Sequence, residues 1–428
     1  MAPDFTASIN LTKFVPYKIN ALNKLKIIND PVYGFISIKT SLIFDLIEHP
    51  YFQRLRYIKQ VGMAHLVYPG ALHTRFHHAL GVMHLMQLAI EHLQSKGQEI
   101  TSEEAEASCI AILLHDIGHG PFSHALEHSL VKGLAHEKIS RLFIDRLNQD
   151  FGGKLDLALQ IFNNQYHKKF FFQLICGQLD LDRLDYLNRD SFFSGVTEGT
   201  VSSDRIIKLL NVKDGNLVVE EKGIYSVEKF LIARRLMYWQ VYLHKTALAG
   251  EQLLVKILKR ARELAERGTE LFASPALKHF LYQDIHGDEF TVDSEHLSFF
   301  SQLDDHDIMG TIKVWQQHND FVLRTLCTFL ITRKLYKVEI SNEAPDQTKI
   351  EELKAHIISS LKISEKEASY FIFTDSVNNR AYNNTGSGSI NILRKNGDIE
   401  DITIVSDTSS LEALSIDVTK YFLCYTKI

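Results

Sequence analysis

Cysteine is scarce in this chain of 428 residues, with only Cys109, Cys176, Cys327 and Cys424, far apart from one another. No CxxC pair exists to hold zinc or to run dithiol chemistry, and a reducing cytoplasm is the compartment expected. An excess of basic charge is also missing. The 47 Lys and Arg against 52 Asp and Glu leave a formal net charge of -5. That argues against nucleic acid as a partner, because backbone tracking rests on clustered cations that neutralise phosphates. An anionic substrate would have to meet a local basic pocket. No N-terminal stretch joins a basic start, an apolar run and a small-residue cleavage site, and no uncharged apolar stretch is long enough to span a bilayer, so no membrane is expected. No internal repeat is evident. What is present, with 45% hydrophobic and 23% charged residues, is an ordinary globular composition with length for one large domain and a smaller one.

Three regions are expected. Residues 1–42 form a lead in which Lys26 to Asn29 and Phe35 to Ile38 read as strands of a β-hairpin around Asp30-Pro31 and Gly34, a lid by its look. Residues 43–331 form a helical core, since apolar residues recur there at spacings of three and four. Residues 332–428 form a small α+β domain. In it the runs Leu335 to Ile340, Tyr370 to Thr374, Ser389 to Leu393 and Ile399 to Val405 read as strands around a helix near Glu351 to Leu361, with Asn396-Gly397 placed for a two-residue hairpin turn. The Asn/Gly/Ser stretch Tyr382 to Ser389 reads as a flexible loop. The fold class expected is mainly α.

Within the core, Thr101-Ser102-Glu103-Glu104 reads as a capping box opening a helix that ends at His115-Asp116. Gly118 and Gly120 break it, and Pro121 is placed to open the next helix, with His124, Glu127 and His128 on one face. His78, His115, Asp116 and Asp182 offer imidazole nitrogens and carboxylate oxygens suited to manganese, iron, nickel or zinc, with magnesium less natural. An isolated His-Asp pair would be read as a helix end. Here it belongs to a dense polar run, His115, Asp116, His119, Ser123, His124, Glu127 and His128, whose burial without a metal or an anionic ligand would be costly.

The segments Phe52 to Gln60, His73 to His78, His115 to His124 and Asp180 to Tyr186 resemble the HD-domain deoxynucleoside triphosphate triphosphohydrolases, a group that includes the mammalian SAM-and-HD-domain enzymes and bacterial dGTPase-like relatives. The likeness runs from about Lys26 through at least Lys337, and no SAM domain is expected ahead of it. It implies a divalent metal ion (manganese, magnesium, iron or zinc) on His78, His115, Asp116 and Asp182, and hydrolysis of a deoxynucleoside triphosphate at the α-phosphate to deoxynucleoside and triphosphate. His124 with Glu127 suits a general acid/base pair, because a carboxylate three residues along a helix can fix the imidazole tautomer. Carried over by position, Arg75, His119, His136, Arg183 and Arg234 form a phosphate cradle for which arginine is well shaped. Tyr186 and Asp190 point to the same pocket, and Gln60, Asp180 and Tyr242 match positions that contact sugar or base; Tyr186 and Tyr242 could equally be core aromatics. Two departures bear on base choice and phosphate binding: Leu243 replaces a glutamine of the mammalian enzymes, and Arg183 a lysine.

The resemblance further implies nucleotide activation at a site between subunits of a homo-oligomer, dimer or tetramer. Lys26, Arg56, His244, Lys245, Arg333 and Lys337 match basic positions of that kind, and Glu48 stands where an aspartate contacts the base; ordinary surface charge would look the same. Two other functions compete. One is an HD phosphohydrolase for cyclic dinucleotides, guanosine tetraphosphate or nucleoside monophosphates, although the GYP signature of the first is missing. The other is a catalytically silent nucleotide sensor or RNA-binding module, which would have no need of a proton-transfer pair.

Overall fold

A helix that is apolar on nearly all sides has to be buried, and the helix α1 (Arg75–Ser95) is such a helix. Leu80, Val82, Met83, Leu85, Met86 and Ala89 are all shielded from solvent. It packs against α2 (Ser102–Leu113) and the later α4 (Leu181–Ser194), so the three polar motifs of the sequence are brought to one place by the burial of a central helix. The computed structural model describes residues 26–123, 133–383, 389–407, 411 and 414–427.

The capping box forms as read. Glu104 N donates to Thr101 Oγ1 at 3.1 Å, and Thr101 N donates to Glu104 Oε2 at 2.8 Å, so two unpaired N–H groups of the first turn of α2 are satisfied. After α2 the chain turns sharply, and Phe122 and Ser123 adopt φ of 54°, a region that side chains normally avoid. The buried Asp305 holds this turn: Phe122 N donates to its Oδ1 at 2.7 Å and Lys59 N to its Oδ2 at 3.1 Å. The expected helix after Pro121 carries His124, Glu127 and His128, which lie outside the described residues; Pro121 itself is in the turn. α3 (His136–Asp150) follows, and beyond α4 come α5 (Ile224–Met237), a single wide π-helical turn Tyr238–Tyr242, and α6 (Lys245–Glu266).

Around this helical core lie small sheets. β1 (Lys26–Asp30) and β2 (Gly34–Ile38) form the expected antiparallel hairpin. It is anchored, not lid-like: Asp30 is buried and bonded to Arg189 of α4. β3 (Leu210–Lys213) and β4 (Asn216–Glu220) were not anticipated within the helical core. β4 pairs in parallel with β7 (Asn391–Leu393), which pairs with β8 (Ile399–Asp401), so the C-terminal region completes a sheet begun in the core. β5 (Lys337–Ser341) and β6 (Ile372–Asn379) flank β9 (Val418–Tyr425), also unanticipated. The strand expected over Ile399 to Val405 ends at Asp401, whose side chain accepts from Thr403 N and caps a short helix Ile402–Val405. Asn396-Gly397 is a turn, but a longer one, closed where Arg394 N donates to Asp398 O at 2.9 Å.

Part of the Phe52 to Gln60 motif is structural. Arg54 is buried and donates to Leu303 O at 3.0 Å and Ile117 O at 2.8 Å, tying the motif to the end of the segment that carries His115 and Asp116.

Candidate metal centre and its cavity

Three elements supply the centre. His78 lies one turn into α1; His115 and Asp116 follow the C-terminus of α2; Asp182 sits in the first turn of α4, where the helix dipole favours a carboxylate. Asp182 Oδ1 is 3.1 Å from His78 Nε2 and 3.6 Å from His115 Nε2, while Asp116 is 3.7 Å and 3.5 Å from the same two nitrogens. Atoms bound at about 2.0–2.2 Å to one ion stand roughly 3–3.5 Å apart, a range these histidine–carboxylate spacings approach, and ligand atoms of His78, His115 and Asp116 all lie within 4.8 Å of one another. Both Nε2 atoms are buried and make no properly angled hydrogen bond. The tautomer agrees. His78 Nδ1 donates to Asp185 Oδ2 at 2.7 Å and His115 Nδ1 to Ile112 O at 2.7 Å, which leaves each Nε2 with a lone pair for a metal.

The electrostatics of the site suit a cation. Burial would depress the His78 imidazole, but the nearby carboxylates of Asp182 and Asp185 outweigh it and raise it to about 10. Burial likewise opposes ionisation of Asp182, and the two histidines reverse this and hold it well below the carboxylate range. His119 Nε2 lies 3.4 Å from Asp116 Oδ1, and its ring stacks on His136 at 3.8 Å; burial and the Arg75 charge keep His119 well below the usual imidazole value.

Behind the ligands lies a relay that the sequence reading missed. Arg189 Nε donates to Asp185 Oδ2 at 2.9 Å, and Nη1 to Asp30 Oδ2 at 2.8 Å, so metal ligand His78 is braced through Asp185 and Arg189 to the hairpin turn. Asp185 sat within a quoted motif, and its spacing of four from Arg189 was the available signal. Gly81 of α1 makes room for the pair: a Cβ there would lie 2.1 Å from Asp185 Oδ1 and 2.3 Å from Arg189 Nη2. Gly81→Ala, which would strengthen an ordinary helix by about 1 kcal/mol, is therefore expected to lower both the melting temperature and the metal affinity. Calorimetry and metal titration check it.

Asp116 and Asp182 line a cavity of about 440 Å³. Of the residues expected at the site, it brings together Gln60, Arg75, Asp116, His119, His136, Asp182, Tyr186, Asp190, Arg234 and Tyr242. Arg75 donates to Ser123 Oγ at 2.8 Å and pairs with Asp116; Arg234 donates to Gln178 Oε1 at 3.1 Å. Tyr242 OH donates to Asp190 Oδ2 at 2.7 Å, and His73 Nε2 to Asp190 Oδ1 at 2.7 Å, so Asp190 is fixed from two sides. The π-helical turn puts Tyr238 and Tyr242 into the wall together; such turns recur at functional sites, and no periodicity announces one.

Two expected contacts are placed elsewhere. Asp180, fully buried, caps α4 by accepting from Arg183 N at 2.8 Å and Gly177 N at 2.9 Å, and Arg183 folds back on Asp180 and Gly177 O. Neither is among the described residues of the cavity wall. Of the residues matched to a second nucleotide site, Lys26 lies over Phe44, Arg56 over Phe76, Arg333 donates to Leu66 O, and His244 caps α6. Glu48, Lys245 and Lys337 are exposed.

Comparison with known proteins fits this geometry. The family description "HD domain" matches residues 75–189, the stretch that holds all four candidate ligands, and "HD associated region" matches residues 201–273. The fold is similar to that of a phosphohydrolase from Bacteroides thetaiotaomicron, at TM-score 0.91 and 53% identity over 94% of this chain and 100% of that one. The chain belongs to the HD-domain phosphohydrolase family. It is 32% identical to the uncharacterised protein YwfO of Bacillus subtilis over 90% of this chain and 89% of that protein. A Dictyostelium discoideum protein named as a homologue of the deoxynucleoside triphosphate triphosphohydrolase SAMHD1 is 30% identical, over 58% of this chain and 51% of its own length. As an HD-domain phosphohydrolase the chain is a hydrolase that binds a divalent metal ion, and its histidine–aspartate cluster fits one. Among the described residues no helix is long and apolar enough to cross a membrane.

Proposed function

We propose that this phosphohydrolase cleaves deoxynucleoside triphosphates at the α-phosphate, water adding to phosphorus as the bond to the 5′-oxygen breaks, to give deoxynucleoside and triphosphate. The observation that carries the reading is the single cavity in which Asp116 and Asp182 meet Arg75, Arg234 and His119, with Gln60, Asp190 and Tyr242 in the same wall. His78, His115, Asp116 and Asp182 would hold a divalent ion, which when bound would supply positive charge to a phosphoryl oxygen and to a water. Arg75 and Arg234 offer bidentate contacts to a phosphate chain. Asp190, held by His73 and Tyr242, presents a fixed carboxylate to a sugar hydroxyl, and the ring of Tyr242 offers an apolar face. Proton transfer belongs to His124 and Glu127, on the segment that follows the strained turn at Phe122 and Ser123. Resemblance to the named triphosphohydrolase supports the substrate class.

The same reading includes activation by a second nucleotide between subunits, with Lys26, Glu48, Arg56, His244, Lys245, Arg333 and Lys337 as its candidate contacts. Incubation of the purified protein with each deoxynucleoside triphosphate, singly and in pairs, with manganese or magnesium, followed by chromatography, tests both parts. Deoxynucleoside with intact triphosphate is expected, and turnover confined to pairs would establish the activator. Metal-loaded protein that releases no product from any combination would overturn the substrate class.

A further inference from the structure

One acid in the cavity wall is used by none of this. Glu251 lies on α6, six residues after its first residue, facing the segment that follows Gln60. Its carboxyl has no hydrogen bond or ion pair among the described residues, whereas the other acids of the wall are all engaged: Asp116 by Arg75, Asp182 by two histidines, Asp190 by Tyr242 and His73. Burial alone pushes it up to about 7, and no neighbouring charge contributes. Its position is close-set: a Cβ on Gly62, which has φ of 49°, would lie 3.5 Å from Glu251 Oε1 and 3.4 Å from the Phe122 carbonyl oxygen.

A half-buried carboxyl with no partner among the described residues is disfavoured in its charged form and contributes little stability in return. Facing a cavity, it is an acceptor waiting for a donor that the protein does not provide. An anionic phosphate is the wrong occupant for it; N–H and O–H groups are the right ones.

We infer that Glu251 is a specificity-determining residue that accepts hydrogen bonds from donor groups of the substrate's nucleoside half. The inference rests on the nucleotide reading given above. Two sources share this chemistry, the N–H edge of a base, which in guanine presents two adjacent donors, and the 3′-hydroxyl of the sugar. A site built to bond such a group discriminates strongly against ligands that lack it.

The test compares kcat/KM of the wild-type protein and Glu251→Gln on the four deoxynucleoside triphosphates and their four 2′,3′-dideoxy counterparts, with the melting temperature at pH 8 alongside. Glutamine keeps the shape but removes the charge and turns one acceptor into a donor. A loss of about 10- to 100-fold, the range for one well-made polar contact, concentrated on one base assigns the base edge. A loss of that size on all four deoxy substrates but absent from the dideoxy series assigns the 3′-hydroxyl. In either case the melting temperature should rise, because an uncompensated carboxyl has gone. Equal losses on all eight substrates, or no change, overturn the inference while leaving the nucleotide reading intact. A wild-type protein that turns over none of the eight removes the nucleotide reading and this inference with it.

Discussion

Asp182→Ala should yield a folded protein that no longer retains its metal and has lost activity by roughly three orders of magnitude or more, the equivalent of about 4 kcal/mol of transition-state stabilisation. Asp182 is the carboxylate nearest the common point, 3.1 Å from one ligand nitrogen and 3.6 Å from the other. It lies in the first turn of α4 but is not its cap; that is Asp180, so the helix keeps its start when Asp182 is removed. Two imidazoles would remain facing each other with one carboxylate. Metal content by elemental analysis and helicity by circular dichroism check the two halves of the claim. A variant that keeps a full equivalent of metal would show that the ligand set is wrong.

The second large effect is expected far from the solvent. Replacing Arg189 by Met removes a fully buried cation and leaves Asp185 and Asp30 without their partner, and breaking a buried pair in this way typically costs about 3–5 kcal/mol. The loss should depend on pH. Burial opposes ionisation of Asp185, but Arg189 and His78 outweigh it and lower the carboxyl to about 2. A depressed carboxyl contributes stability that is present above its unfolded value, near 4, and is lost as pH falls through its folded value. Wild type and Arg189→Met should therefore differ most at neutral pH and converge between about pH 4 and pH 2. Chemical denaturation across that range tests it, and a gap that stays constant with pH would mean that the guanidinium acts by packing alone. Arg189→Lys should rescue little, since an ammonium cannot reproduce two forked contacts to two carboxylates.

How much of this could be read from the sequence depended on how local the cause was. His78, His115, Asp116 and Asp182 were legible because each belongs to a short polar motif at or near a helix end, and the apolar periodicity that makes those helices also sets where their ends fall. The capping box of α2 was legible for the same reason. Asp30 was read only as a turn residue, because nothing near it says that it will meet an arginine 159 residues later. Asp180 and Arg183 matched family positions that contact substrate, yet here they close on each other at the start of α4. The run Ile399 to Val405 is rich in β-branched residues, but Asp401 caps a helix in the middle of it, a local hydrogen bond overriding propensity. The runs of β5 and β6 were read as strands, but β9, the strand between them, takes its place only through long-range pairing, which no window of sequence contains.

The relay from Asp30 to His78 also orders events in time. The hairpin leaves the ribosome first, and the helix that must hold it emerges about 150 residues afterwards, so the centre depends on contacts of long sequence separation, which form slowly. A metal ion gains its full set of donors only when those contacts are in place. A bound metal ion is therefore expected to slow unfolding more than it speeds folding.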